Sequence, residues 1–187
     1  MTKPKVCKVC RQDFTPTKPM QRVCSGDCAI SLAVSTRGKA EKVAKVKERK
    51  TDQAKREKLK TRGDWIKEAQ IEFNKYVRLR DSGKGCISCG SACGESSVGG
   101  SGDAGHFRSR GSAPHLRFDE RNCHLQCKRC NRYLSGNVAD YRVGLVGRIG
   151  IDVVVALEAD QEPRRHTVDE LKAIKAKYAA LTRELSA

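Results

Sequence analysis

Hydrophobic positions are unevenly spread along this chain, and two stretches carry a helical stripe. Trp65, Ile66, Ala69, Phe73, Tyr76 and Val77 recur at helical spacing behind Asp64, which can cap the helix, and the pattern ends at Asp81-Ser82-Gly83. Trp65 belongs to that stripe, so it reads as a core anchor rather than a base-stacking residue. Near the end, Thr167-Val168-Asp169-Glu170 has capping-box spacing, and Leu171, Ile174, Tyr178, Leu181 and Leu185 make the apolar stripe of a last helix. Between these, Val138 to Leu157 predicts a helix in two pieces broken near Gly147 and Gly150, although Val153-Val154-Val155 also fits a strand. Pro163 interrupts, and the Gly- and Ser-rich run from Gly94 to Gly102 predicts a flexible loop.

The stripe is missing from residues 31–63. From Arg37 to Arg62 there are twelve Lys or Arg and four acids, with few large apolar residues, chiefly Val43, Val46 and Leu59. Ala, Lys, Glu and Arg in these proportions predict a solvated basic helix or arm, which serves either as a DNA contact or as a charged linker. The chain thus divides into a cysteine-bearing head at 1–30, the arm at 31–63, and a main domain at 64–187.

Composition narrows the classes. Of 187 residues only 38% are hydrophobic and 32% are charged, so the core is thin, and ten cysteines offer staples. A net charge of +16 points to a polyanion. DNA is the leading candidate and structural RNA also fits, whereas the basic stretches lack the Trp, Phe and Leu of a membrane-binding face. No apolar run reaches membrane-span length, and Met1-Thr2-Lys3-Pro4-Lys5 opens no signal peptide. The expected place is a reducing cytoplasm, where cysteines persist as thiolates on metal.

Cys86-x2-Cys89 and Cys127-x2-Cys130 are two tight turns, each presenting two thiolates, and together they complete a closed tetrahedral zinc site of structural type. A redox role would require two such pairs without a thioredoxin-like pattern. Cys7-x2-Cys10 and Cys24-x3-Cys28 suggest a second, treble-clef or ribbon-like module with Phe14 packed beneath the metal. Eight ligands leave Cys93 and Cys123 as free thiols, with Cys93 able to compete with Cys89.

Between the CxxC pairs stand Asp103-Ala104-Gly105-His106-Phe107, Arg108, Arg110 and Asn122, and Asn131 follows the last cysteine. This order resembles the HNH, or ββα-metal, nucleases. Longer stretches sharpen the likeness: Trp65-Ile66-Lys67-Glu68-Ala69-Gln70, Cys86-Ile87-Ser88-Cys89-Gly90, Asp103-Ala104-Gly105-His106, Leu116-Arg117-Phe118, Gln126-Cys127 and Ser135-Gly136-Asn137. With the cysteine head and Lys-rich arm, they resemble the NinG, or Rap, recombination endonuclease family of lambda-type phages over essentially the whole chain. The resemblance implies an α+β fold: a zinc-stapled ββα-metal core flanked by helices, with a small N-terminal zinc module. It also implies a phage enzyme that cuts Holliday junctions and D-loops.

On this reading His106 is the general base and Asn122 ties the hairpin loop. Asn131 and Asp103 hold Mg²⁺ or Mn²⁺, with Asp119 in reserve, because Gly105 fills the slot where many HNH motifs place Asp. Arg108, Arg110 and Arg117 clamp phosphates or are ordinary surface charge. His115 and His124 read as structural or DNA-facing. His106 could instead support the zinc site, and Asn131 could simply start a helix. Two other functions stay open: a non-catalytic zinc-binding nucleic-acid adaptor, and an HNH nicking enzyme without branch preference. A homodimer would suit the cutting of two strands.

Overall fold

The computed structural model describes residues 3–93 and 102–187, and these fall into two compact units that divide between Leu59 and Lys60. The expected loop at 94–102 lies outside the described residues, except for Gly102.

The first unit is a small antiparallel pair, β1 (Lys5–Val6) with β2 (Asp13–Phe14), followed by the 34-residue helix α1 (Gly26–Leu59). The helix begins before the expected arm, so Cys28 lies in its first turn. Cys24 stands two residues before the helix, so the second cysteine pair spans its N-terminal end. None of its residues is buried. Asp27 in the first turn, Arg56 and Lys58 in the last, and the Arg37–Glu41 pair at 3.0 Å suit the helix dipole and the i,i+4 geometry.

The second unit opens with α2 (Arg62–Arg80). Thr61, not Asp64, is its N-cap: the Thr61 side chain accepts from the Asp64 amide, and the Asp64 carboxylate accepts from the Thr61 amide at 3.0 Å. The cap lies three residues before the expected one because Asp64 closes a reciprocal box. Trp65, Ala69, Phe73 and Val77 face inward as the stripe predicts, with Ile66 and Tyr76 beside them. They pack on Leu171 and Tyr178 of α5 (Val168–Leu185), whose Thr167–Glu170 capping box forms as expected. Leu185, expected in the stripe, is instead 52% exposed at the end of α5. Trp65 is 7% exposed, a core anchor as expected, with the ammonium groups of Lys60, Lys172 and Lys175 at 4.5, 5.4 and 5.6 Å from its ring.

A hairpin of β3 (Gly102–His106) and β4 (Cys123–Cys127) follows, in a register that pairs Asp103 with Gln126 and His106 with Cys123. A π-helical turn, Arg129–Tyr133, continues from β4. Then come α3 (Val138–Ile149) and α4 (Ile151–Ala159), broken at Gly150 (φ +85°), while Gly147 lies within α3. The valine run is therefore helix rather than strand, and Val154 faces a second core with Ile87, Phe107, Leu116, Tyr141, Leu145 and Leu157. The whole is an α+β arrangement. Among the described residues no helix is long and apolar enough to cross a membrane.

One buried carboxylate joins α2 to the hairpin. Asp81, 1% exposed, accepts from Arg80 Nη2 at 2.7 Å, Lys84 Nζ at 3.1 Å and the Leu125 amide at 3.1 Å, with His124 Nδ1 at 3.4 Å. Burial opposes its charge, but His124, Arg80 and the Leu125 amide outweigh burial and hold the carboxyl well below the usual range. Asp81→Ala should cost roughly 1 to 3 kcal/mol in denaturant unfolding, because it leaves the buried Leu125 amide without its acceptor, while Arg80 keeps the Glu120 and Cys123 carbonyls. A depressed folded pKa gives stability that is lost as pH falls. The wild type should therefore weaken more steeply than the variant below the ordinary carboxylate value of about 4.

Candidate functional site

Four sulfurs gather in each unit: Cys7, Cys10, Cys24 and Cys28 in one, and Cys86, Cys89, Cys127 and Cys130 in the other, all within 4.8 Å of one another. Thiolates on a tetrahedral zinc, with bonds of about 2.3 Å, lie about 3.8 Å apart. The separations of 3.7 Å for Cys24–Cys28 and 3.8 Å for Cys89–Cys127 match that edge, and Cys10–Cys24 is tighter at 3.4 Å. The residues therefore fit zinc. One thiol of each cluster is drawn toward thiolate, whereas neighbouring thiols push Cys24 up and burial pushes Cys86 and Cys130 up. Against the opposing effect of burial, the amides of Val9, Cys10 and Cys24 draw the Cys7 thiol down to about 6. The Ser91 hydroxyl and amide draw Cys89 down to about 6. Thiolate is the form that binds metal.

The two spare cysteines stay outside these clusters. Burial first, then the charges of Cys86, Cys127 and Cys89, pushes the Cys93 thiol up to about 11. Cys123 is fully buried in the hairpin, with Sγ 3.6 Å from His106 Nδ1. That neighbour follows from the register alone.

The loop between the strands is closed by one side chain. Asn122 Oδ1 accepts from the Arg108 amide at 2.8 Å, and its Nδ2 donates to the carbonyls of Arg108 at 3.0 Å and Leu116 at 3.2 Å. The Phe107 amide donates to the Asn122 carbonyl at 2.8 Å. At the end of β3, His106 Nε2 donates to the Arg117 carbonyl at 2.9 Å, an acceptor that leaves the lone pair of the neutral ring on Nδ1. Burial, with the positive charges of Arg110 and Arg117, lowers the His106 pKa to about 4, so the ring is neutral at pH 7.

Asp103 and Asn131 also meet, with Asn131 Nδ2 donating to Asp103 Oδ2 at 3.0 Å. Arg132 takes the same carboxylate with both arms, Nε at 2.7 Å and Nη2 at 3.0 Å. As they stand, these oxygens do not fit a hydrated Mg²⁺, because a guanidinium fills its place. Asp103 and His106 are three apart on one strand and therefore point to opposite faces. His106 lies 6.1 Å from the Phe73 ring in the first core, whereas Asp103 meets the turn after β4. The hairpin brings together Asp103 with Asn131 and His106 with Cys123, but not the two pairs with each other.

Gly105 has a physical reason to stand before His106: a Cβ there would collide with the Gln126 side chain, and the Gly105 carbonyl accepts from the buried Tyr141 hydroxyl at 2.9 Å. No aspartate fits that slot. Asp119 instead accepts from Arg121, Nη2 at 2.7 Å and amide at 2.9 Å. Arg108 turns inward, where Nη1 donates to the carbonyls of Leu157 at 3.0 Å and Asp160 at 2.5 Å, closing the end of α4. Arg117 donates to Gln70 Oε1 at 3.3 Å, and Arg110 is exposed. His115 Nε2 donates to the Asp160 carbonyl at 3.0 Å, and His124 is buried beside Asp81, so both serve the fold. The sequence reading missed Arg132, whose only signal is its place beside Asn131.

Two four-cysteine clusters that could each hold a zinc ion, one of them beside a hairpin and its following helical turn, mark this small basic protein. The family described as bacteriophage lambda NinG protein matches residues 1–187, and the chain belongs to it. It is 42% identical to Protein ninG of Salmonella phage P22 over 193 residues, covering 94% of this chain and 90% of that one. It is 41% identical to Protein ninG of Escherichia phage 933W over 198 residues, at 99% and 96% coverage. With Protein ninG of Escherichia phage lambda the identity is 40% over 193 residues, at 94% and 89%. No solved structure matches.

Elemental analysis of the purified chain should find about two zinc ions. Cys127→Ser should unfold the second unit, read by loss of circular dichroism and of one zinc, and Cys93→Ser should be mild. Arg132→Ala should raise Mn²⁺ affinity several-fold in electron paramagnetic resonance titrations of the zinc-loaded protein. An unchanged affinity would exclude Asp103 as a ligand.

Proposed function

We propose that the chain is a metal-dependent endonuclease of HNH type that hydrolyses phosphodiester bonds in branched DNA such as Holliday junctions and D-loops. The observation that carries this reading is the neutral His106, oriented by the Arg117 carbonyl at the end of a hairpin whose loop Asn122 closes. Nδ1 takes the proton of the attacking water as its oxygen bonds to phosphorus. One bridging P–O bond breaks, and solvent protonates the leaving oxygen. Arg110 and Arg117, near enough to His106 to disfavour its charge, meet the charge growing on phosphate. Asp103 and Asn131 would hold Mg²⁺ or Mn²⁺ only with Arg132 displaced from the carboxylate, and the cation would then supply further charge neutralisation. The net charge of +16 suits a DNA partner, and branch preference rests on the family resemblance alone.

A second reading, a non-catalytic zinc-binding nucleic-acid adaptor, is favoured by two contacts: Arg132 on Asp103, and Cys123 beside His106 Nδ1. Cleavage of matched linear and four-way DNA, with and without Mg²⁺, separates the two. His106→Ala should abolish cleavage and leave DNA binding and zinc content intact, and full activity in that variant would remove the mechanism. A base with a pKa of about 4 is already deprotonated above that pH. The cleavage rate should therefore hold between pH 8 and about 5, with no fall near the ordinary histidine value of about 6.5.

A further inference from the structure

Beside the Arg117 end of the hairpin loop lies a cavity of about 530 Å³ that the proposed chemistry does not use. It forms between the first turn of α2, the loop at Ser112 to Phe118, and the segment joining α4 to α5. Its wall carries Arg62, Arg117, Arg164 and Arg165, and among the described residues no acidic one lines it. Its apolar part is Ile66, Pro114, Phe118 and Pro163. Asp160 offsets part of this charge by accepting from Arg164 Nη2 at 2.5 Å, and Arg62 Nε donates to the His166 carbonyl at 2.8 Å. Arg165 is exposed. The cavity adjoins the proposed reaction centre through one residue: the Arg117 carbonyl holds His106, and Arg117 also lines the cavity.

Guanidinium groups above an apolar, partly aromatic floor match a ligand with an anionic backbone and a flat apolar face. A paired base presents only its edge in a groove, whereas an unpaired one offers the whole ring to a side chain. We propose that this cavity is a subsite for one unpaired nucleotide of the DNA substrate. Arg164 and Arg165 hold its phosphate, and its base rests against Phe118, Ile66 and Pro163. The inference rests on the nuclease reading and gives it a physical means of choosing branched DNA: strands that diverge at a junction expose nucleotides that a continuous duplex keeps stacked.

The test is binding of the full, zinc-loaded chain in Mg²⁺-free buffer to two labelled DNAs, a duplex with an unpaired arm and a fully paired duplex of equal length. The double variant Arg164→Gln/Arg165→Gln should bind the forked DNA roughly tenfold more weakly and the paired duplex less than about twofold more weakly. Equal weakening would reduce these arginines to general phosphate attraction and overturn the subsite, as would no change in either affinity. Should the variant lose zinc or helix content, 2-aminopurine in the unpaired arm gives a second readout on the wild type. Its fluorescence should change on binding at one position nearest the fork, and a flat signal at every position overturns the proposal. Cleavage is not read in either assay. A chain that cut no DNA would still show the forked preference, and one that cut DNA while binding both forms alike would keep the nuclease reading and lose the subsite.

Discussion

Sulfur atoms crowded within 4.8 Å of one another are the constraint on which this protein depends. Four thiolates at that distance repel unless a cation lies between them, and four thiols forgo a strong interaction that zinc would supply. In the second unit the cluster ties the Cys86–Cys89 turn to the end of β4, and the amide of Ile87 then donates to the Leu125 carbonyl at 2.9 Å. The hairpin, the Asn122-closed loop and the π-helical turn all hang from that knot. With two strands and two modest cores, little else would keep their ends together.

Much of this was legible in the chain. The α2 and α5 stripes, the Thr167 capping box, the cysteine pairs and the break at Gly150 are local patterns, set by residues a few positions apart. Asn122 as the loop closure was legible only through the family likeness. What escaped was tertiary. Thr61 displaced Asp64 as cap because the two side chains satisfy each other. Arg108 looked like a phosphate clamp but closes α4, some fifty positions away, and no local signal marks that carbonyl cage. Gly105 looked like a departure from a motif, whereas the bulk of Gln126 across the hairpin dictates it.

The hairpin also separates two chemistries that the sequence places side by side. Strand alternation sends Asp103 and His106 to different faces, so a base and a cation-binding carboxylate would have to act around the edge of a two-stranded ribbon. Arg132 keeps the carboxylate neutralised meanwhile. Such a pairing holds an isolated acid in an ordered state until a competing charge arrives, and a polyanion is a natural competitor for guanidinium.

The long helix α1 buries none of its residues, so no apolar core of its own anchors it. Its order therefore rests on backbone propensity and end charges, which give only small increments per residue. Its hydrogen bonds should open locally and often, at a free-energy cost unrelated to that of the cores in the Lys60–Ala187 unit. Any polyanion that prefers the helical spacing of these cations would shift that local equilibrium toward order. Part of its binding free energy would then go into winding the helix, so the affinity of this arm would report its own helix–coil balance as well as its charge.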